Sequence, residues 1–426
     1  MKSHYLSRML GSHRLMVLIL LVLIIGMGAD TVYRSGPYSC GKTTWGSKAH
    51  RCDFTVFIAA GRAVLDGTDI YEAHNVRGWY YLQPPLFAVA MVPFAMIPQM
   101  WAVLIWYLLS VAMMIAAVRM CVRMMSRRQP PSQNQFVIYL VPPLLVVLLL
   151  VSALAHGQSS VLMLWLVIAA LYCNEQGHAV VGGVSLAGAT LVKVFPVLLL
   201  GYFVWRKKWR FVAASLLALV LGLFVLPSFA YGWKGNRVFL EKWVTRVVSP
   251  ALQSEKERAN EPLYNTLLNS DMVNNQSLPA VLWRWTKVQS ASWIARLGVV
   301  AMACVIFLVG RKSAPINEPL ILGAALICTV LAPPVSWSHY FLVLLFPLTA
   351  LIALLQRTAD QSLKRIIYVC LGIYAVLCFV AATRQLRGFG SLCVGAIAVW
   401  VALIVAAMRC QAPVTDRSVC HQGNIG

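Results

Sequence analysis

Acids are what this chain has least of. Asp and Glu number 14 against 36 Lys and Arg, and charged residues of both signs make up only 12% of the sequence. A soluble protein needs a polar shell, and a chain that is 60% hydrophobic cannot supply one. Several familiar motifs are missing too. There is no HExxH, no Walker A and no CxxC, no His or Cys cluster has metal-ligand spacing, and no nucleophile elbow supports Ser/His/Asp catalysis. No internal repeat of the inverted-transporter kind is visible. The net charge of +22 is not a nucleic-acid footprint, because the bases cluster in short loops between apolar runs, where the positive-inside rule puts them. Most of the 11 cysteines lie in or beside apolar runs, where Cys acts as a small hydrophobe. Cys40 and Cys52 share one polar loop, and whether they pair is open without their separation.

What is present is a series of apolar runs suited to a hydrocarbon core of about 30 Å. The first, beginning at Leu15 and ending near Gly28, follows Lys2, Arg8 and Arg14; it reads as an uncleaved helix with the N-terminus in the cytoplasm. Residues 86–98 are short and interrupted by Pro93 and Pro98, as in a re-entrant piece. Further spans are expected at 100–118, 136–154, 158–173, 178–192, 194–205, 211–229, 293–310, 318–332, 338–356, 366–382 and 389–408. Gly182-Gly183 and Pro196 are expected to kink the chain. The fold class is therefore all-α, a polytopic transmembrane helix bundle of about 11–13 spans. It forms a single domain over 1–409 with outer loops at about 30–83 and 231–291, followed by a disordered cytoplasmic tail at 410–426.

In the first outer loop, Phe54, Phe57, Ile58, Gly61 and Leu65 recur at helical spacing, which predicts a short interfacial helix ended by Gly67. Asp53 stands at its start, where a carboxylate is a favoured cap. Under this topology the unusual polar residues share the outer side: Asp53, His156-Gly157-Gln158, Lys193, Asn274 to Ser277, Ser336 to Tyr340, Arg384 and Arg387. So do all acids but Glu175, Glu318, Asp360 and Asp416. Each has a plainer reading. Asp53 serves as a cap only, Gln158 as a solvated turn residue, His339 as a satisfied interfacial histidine. Lys193 snorkels, and the two arginines sit on lipid headgroups. Together they suit one chemistry: transfer of a sugar from a lipid phosphate. A carboxylate takes the acceptor proton, and cations receive the phosphate leaving group.

The ordered pieces Asp53-Phe54 with Gly67 and Tyr71, Tyr81 with Pro84-Pro85-Leu86, Gly157-Gln158, Lys193 with Phe195-Pro196, Asn275 to Leu278, and Pro334 with Trp337 to Tyr340 carry a resemblance. The chain resembles family 87 glycosyltransferases, membrane enzymes of the GT-C class that use polyprenol-phosphate sugars. The resemblance implies a GT-C-like helix bundle with Asp53 as catalytic base. It also implies inversion at the donor anomeric carbon, with mannose or arabinofuranose transferred. Gln83 departs from the aromatic or small residue expected before the proline pair.

The expectation is a hexosyltransferase moving mannose from a polyprenyl-phosphate donor to a glycan or glycolipid acceptor. The site lies on the periplasmic or extracellular side of an inner or plasma membrane, among membrane lipids. Lys193, His339 and Arg387 are assigned to the donor phosphate; Tyr81, Gln158, Asn275, Gln276 and Trp337 to sugars. Arg51, two residues before Asp53, is expected to favour its ionised form. No cofactor and no metal site are assigned, although Asp66, Asp69 and Glu72 leave help from a divalent ion open. A transporter or flippase for a lipid-linked or anionic solute is the alternative, and an O-antigen-type polymerase or ligase a third reading.

Overall fold

The computed structural model describes residues 22, 24–35, 52–127, 134–253, 255–261 and 268–410. Among them, five helices are long and apolar enough to cross a membrane: Gln99–Arg127, Ala291–Gly310, Ser338–Arg357, Gln361–Val380 and Ser391–Arg409. Two broken helix pairs raise the number to seven, and five further apolar helices have 10–17 residues. With no extended strand among the described residues, the chain is a polytopic helical membrane bundle. Backbone donors that meet no water must bond within their own segment, and helices do that. The expected first span lies mostly outside the described residues. Its described part, 24–35, is helical and continues past Gly28. Cys40, Arg51 and the tail beyond Cys410 also lie outside them.

The chain divides into two compact units: Met1–Met120 with Val147–Asn269, and Cys121–Val146 with Ser270–Gly426. In the first unit, the predicted interfacial helix is present as Phe54–Asp66, closed by Gly67 in the left-handed region at φ 65°. It lies against Pro85–Ala95, so close that a side chain at Gly61 would come 2.8 Å from the Met91 carbonyl oxygen. Residues 160–192 form a helical hairpin, Ser160–Glu175 and Ala179–Val192, onto which Trp209–Val220 packs. Gly182 and Gly183 do not kink this hairpin. They lie inside an uninterrupted helix, and a Cβ on Gly183 would sit 2.5 Å from the Phe211 carbonyl oxygen. Small residues here let helices approach closely, the main source of packing energy where lipid competes for apolar contact. Pro196 does mark a break, in the short 3-10 turn Phe195–Leu198.

Two expected spans are not single helices. Residues 136–154 form Gln135–Leu145 and Val147–Ala155, with Pro142 and Pro143 in the first piece. The 211–229 run continues through a π-turn and bends by 84° into the helix that begins at Ser228. Most of the described residues in 231–291, expected as a polar loop, are helical.

The second unit is built on Glu318–Leu331, whose residues are nearly all buried, with Leu345–Arg357 and Ser391–Arg409 against it. Burial separates two kinds of apolar helix. In Ser338–Arg357, 83% of the apolar window is buried inside the protein, against 22% in Ala291–Gly310. A helix apolar on every face yet little covered by protein is one that meets lipid.

Candidate active site

Asp53 is positioned by two segments far from it in sequence. Its backbone N–H donates to the His156 carbonyl at 2.7 Å. The next residue, Phe54, is fully buried and stacks on Trp106 with centroids 4.6 Å apart and planes 14° apart, with Phe94 edge-on at 5.4 Å. Trp106 Nε1 in turn donates to the Gly157 carbonyl at 3.0 Å. Gly157 has φ +60°, and a Cβ there would meet Phe54 Cβ at 2.8 Å, so both conformation and space demand glycine. The His156-Gly157-Gln158 turn therefore seats the start of the loop helix.

Asp53 occupies the N-cap position but makes no side-chain cap bond, so the expected capping role is replaced by another. Its Oδ2 accepts a hydrogen bond from Gln158 Nε2. Its Oδ1 is buried with no hydrogen-bond partner among the described residues. Gln158, expected to hold a sugar, is 9% exposed and holds this carboxylate.

Burial raises Asp53 from the ordinary carboxylate range to about 7, against the opposing pull of Lys193, Arg77 and the Gln158 hydrogen bond. The expected lowering is thus overridden by desolvation. Lys193 lies in the two-residue linker after Ala179–Val192, in extended conformation. Burial brings it down to about 7, and the Asp53 charge resists that shift. Arg77 went unassigned in the sequence. It sits in a tight turn whose Asn75 Oδ1 accepts from the N–H groups of Arg77 at 3.0 Å and Trp79 at 3.2 Å. Its guanidinium lies over the Trp79 ring, 4.5 Å from the centroid. A base in an outer loop runs against the positive-inside trend, and that was the available signal.

The remainder of this loop is latched to the bent helix. Lys242 pairs with Asp69, and Arg246 reaches Glu72 at 2.7 Å and the Tyr71 carbonyl at 3.0 Å. Asp69 and Glu72 are therefore cation partners, and no group of three metal-ligating side chains occurs among the described residues. Tyr81, expected to touch a sugar, is fully buried and donates to the Pro84 carbonyl at 2.8 Å. Its hydroxyl is committed to the loop's own backbone.

Five assigned residues belong to the second unit. Asn275 and Gln276 have no accessible surface. Asn275 donates to the Pro334 carbonyl at 2.9 Å and accepts from the Ser277 and Ser336 N–H groups. Gln276 donates to the Val273 and Arg387 carbonyls at 2.7 and 2.8 Å and accepts from the Leu392 N–H. Both act as struts between backbone segments. Arg387 is likewise engaged, with Ala381 O at 2.6 Å, Ala382 O at 3.1 Å and Asn274 Oδ1 at 2.6 Å. Trp337 pairs through its backbone with Asn275. His339 lies against Tyr340, and both His339 and Trp337 keep partial exposure. The structure thus places Asp53, Tyr81, Gln158 and Lys193 in one unit, and Asn275, Gln276, Trp337, His339 and Arg387 in the other.

Comparison with known proteins shows what the chain is similar to. A relative from Mycobacterium tuberculosis (strain ATCC 25618 / H37Rv), the polyprenol-phosphate-mannose-dependent alpha-(1-2)-phosphatidylinositol mannoside mannosyltransferase, is 25% identical over 341 residues, 74% of each chain. Among solved structures, ArnT from Cupriavidus metallidurans bound to undecaprenyl phosphate aligns with 92% of this chain and 76% of its own, at 13% identity and TM-score 0.42. Its apo form gives 12% identity and TM-score 0.38, over 92% of this chain and 77% of its own. The sequence profile of glycosyltransferase family 87 matches residues 81–336, which takes in Gln158, Lys193, Asn275 and Gln276 and begins after Asp53. With well over half of its length inside that match, this membrane protein belongs to glycosyltransferase family 87.

Proposed function

We propose that this glycosyltransferase takes a sugar, mannose, from a polyprenyl-phosphate donor and transfers it to a hydroxyl of a glycan or glycolipid on the outer face of the membrane. The acceptor oxygen attacks the anomeric carbon as its bond to the phosphate oxygen breaks. The configuration inverts, the acceptor proton passes to Asp53, and the polyprenyl phosphate leaves with the bonding electrons. Asp53 Oδ1 is the basic atom, because Oδ2 is already engaged by Gln158. Lys193 and Arg77 lie near enough to influence the Asp53 charge and are suited to receive the developing negative charge of the phosphate.

One observation carries this reading: a buried carboxylate near pKa 7 with one oxygen unpartnered. A general base is most useful when its pKa lies near the working pH. The relative's polyprenol-phosphate-mannose donor supports the choice of donor. The test is transfer from radiolabelled polyprenyl-phosphate-mannose to short α-mannosides, in membranes carrying wild type or Asp53→Asn. Transfer by wild type alone is expected; equal transfer by both moves the base elsewhere. No transfer by either removes mannose, and arabinofuranose is the next donor.

A further inference from the structure

The second unit contains a cleft of about 340 Å³ that none of the assignments above uses. The Leu278–Thr286 helix supplies Arg284 and Trp285 to its lining, and the turn at 385–389 supplies Gln385 and Phe389; Asp271 and Lys287 complete it. We propose that this cleft binds a neutral sugar ring of a glycan, an inference that takes its ligand class from the transferase reading above.

The lining has the chemistry of a sugar site. Trp285 is 53% exposed and Phe389 65% exposed, giving two aromatic surfaces for the C–H face of a pyranose or furanose. The rim offers the Gln385 amide, a group that matches hydroxyls. The Gln385 side chain is exposed and makes no hydrogen bond among the described residues. A phosphate would need uncommitted cations, and the cleft provides none of that kind. Lys287 is paired with Asp271. Arg284 places Nε on the Gly388 carbonyl at 2.7 Å and Nη1 on the Ser270 and Met272 carbonyls at 2.9 and 3.1 Å, while its third nitrogen is closed off from solvent. A neutral polyol fits what remains.

The walls are also fixed in place, as a recognition site requires. Trp285 Nε1 donates to the Phe389 carbonyl at 3.0 Å, orienting the indole. Gly390, at φ +83°, lies where a Cβ would come 2.5 Å from Val281 Cγ2, which brings the 385–389 turn down onto the helix. Gln276 ties the same turn through the Arg387 carbonyl and the Leu392 N–H. The buried Gln276 amide thereby acquires a purpose: it holds the rim of this cleft.

The experiment is saturation-transfer NMR on the full chain in lipid nanodiscs, with two probes, an α-mannotriose and an arabinofuranose trisaccharide. One probe binds wild type and Asp53→Asn alike. Trp285→Ala weakens that binding about tenfold through lost stacking. Gln385→Ala, an exposed change that leaves the fold intact, weakens it about threefold. It decides the matter alone if Trp285→Ala misfolds. Failure of both probes to bind wild type overturns the inference, as does binding that Gln385→Ala leaves unchanged. Phosphatidylglycerol held at the cleft in place of either trisaccharide overturns it in favour of a lipid headgroup. Binding is read without turnover, so a protein that binds the probe and transfers no sugar refutes the transferase reading and leaves the cleft standing.

Discussion

The two units hold polar clusters of similar composition and opposite character. Around Asp53 the hydrogen bonding is incomplete: one carboxylate oxygen lacks a partner, and burial holds the acid near pKa 7. Around Asn275 and Gln276 it is complete, each amide bridging backbone segments that no water reaches. Buried polar groups in proteins are almost always satisfied, so the exceptions point to function and the satisfied ones to architecture. Both clusters look alike as sequence, a few polar residues in a polar loop. Only the account of donors and acceptors tells a reactive group from a strut.

The contrast breaks most sharply at Asp53. Asp53→Asn is expected to lower transfer by about 10²–10⁴, the usual worth of a general base. The same change should not destabilise the protein. A carboxyl whose folded pKa rises from 3.8 to about 7 stabilises the fold in its protonated form, fully so below its unfolded pKa. That contribution is lost as pH rises through 7. Above pH 7 the wild type therefore carries a penalty of about 4 kcal/mol at most, which the asparagine variant avoids. Thermal unfolding at pH 8 beside the transfer assay checks both halves, and a variant that loses both activity and stability makes Asp53 a structural residue.

Gln276→Ala should do the reverse. It leaves the Val273 carbonyl and the Leu392 N–H without their partner and takes one of two donors from the Arg387 carbonyl, at a cost of about 2–4 kcal/mol. The melting temperature falls, while turnover per folded molecule stays within a few fold of wild type. A selective loss of turnover would return Gln276 to the sugar site.

A pH profile sharpens the comparison further. With Asp53 ionised only above about 7, kcat/KM should fall about tenfold per unit below that point. Lys193→Met removes a cation that favours the ionised form, so this acid limb moves to higher pH. An unmoved limb would separate Lys193 from the base. The smallest effect is expected at the latch. Lys242→Met breaks the partly exposed pair with Asp69 and should cost less than about 1 kcal/mol, read as a shift in melting temperature of a few degrees.

Much of this was legible before any coordinates. Gly67 ends the loop helix because its left-handed backbone suits glycine, and Pro84-Pro85 sit where a helix begins. Asp53 stood out because acids are rare and this one opens an amphipathic run. What the sequence could not reveal is which partner a polar group finds. Gln158 lies 105 residues from the carboxylate it holds, and Arg77 was one base among many. Gly182-Gly183 reads as a flexible spot until Phe211 is seen against it, since a missing side chain allows bending and close approach alike. Asn275 and Gln276 in a polar stretch give no sign that water is absent around them.

The hydrogen bond from Asp53 to His156 has a consequence for biosynthesis. The acid leaves the ribosome about a hundred residues before the carbonyl that seats it, and at roughly 5–20 residues per second this is a delay on the order of ten seconds. Trp106 arrives for Phe54 to stack on about halfway through that delay, and Gly157 only at its end. The first loop therefore waits at the membrane as an unfinished half-site, and a chain arrested before residue 156 would be inserted and inactive, with its future base fully hydrated and an ordinary acid.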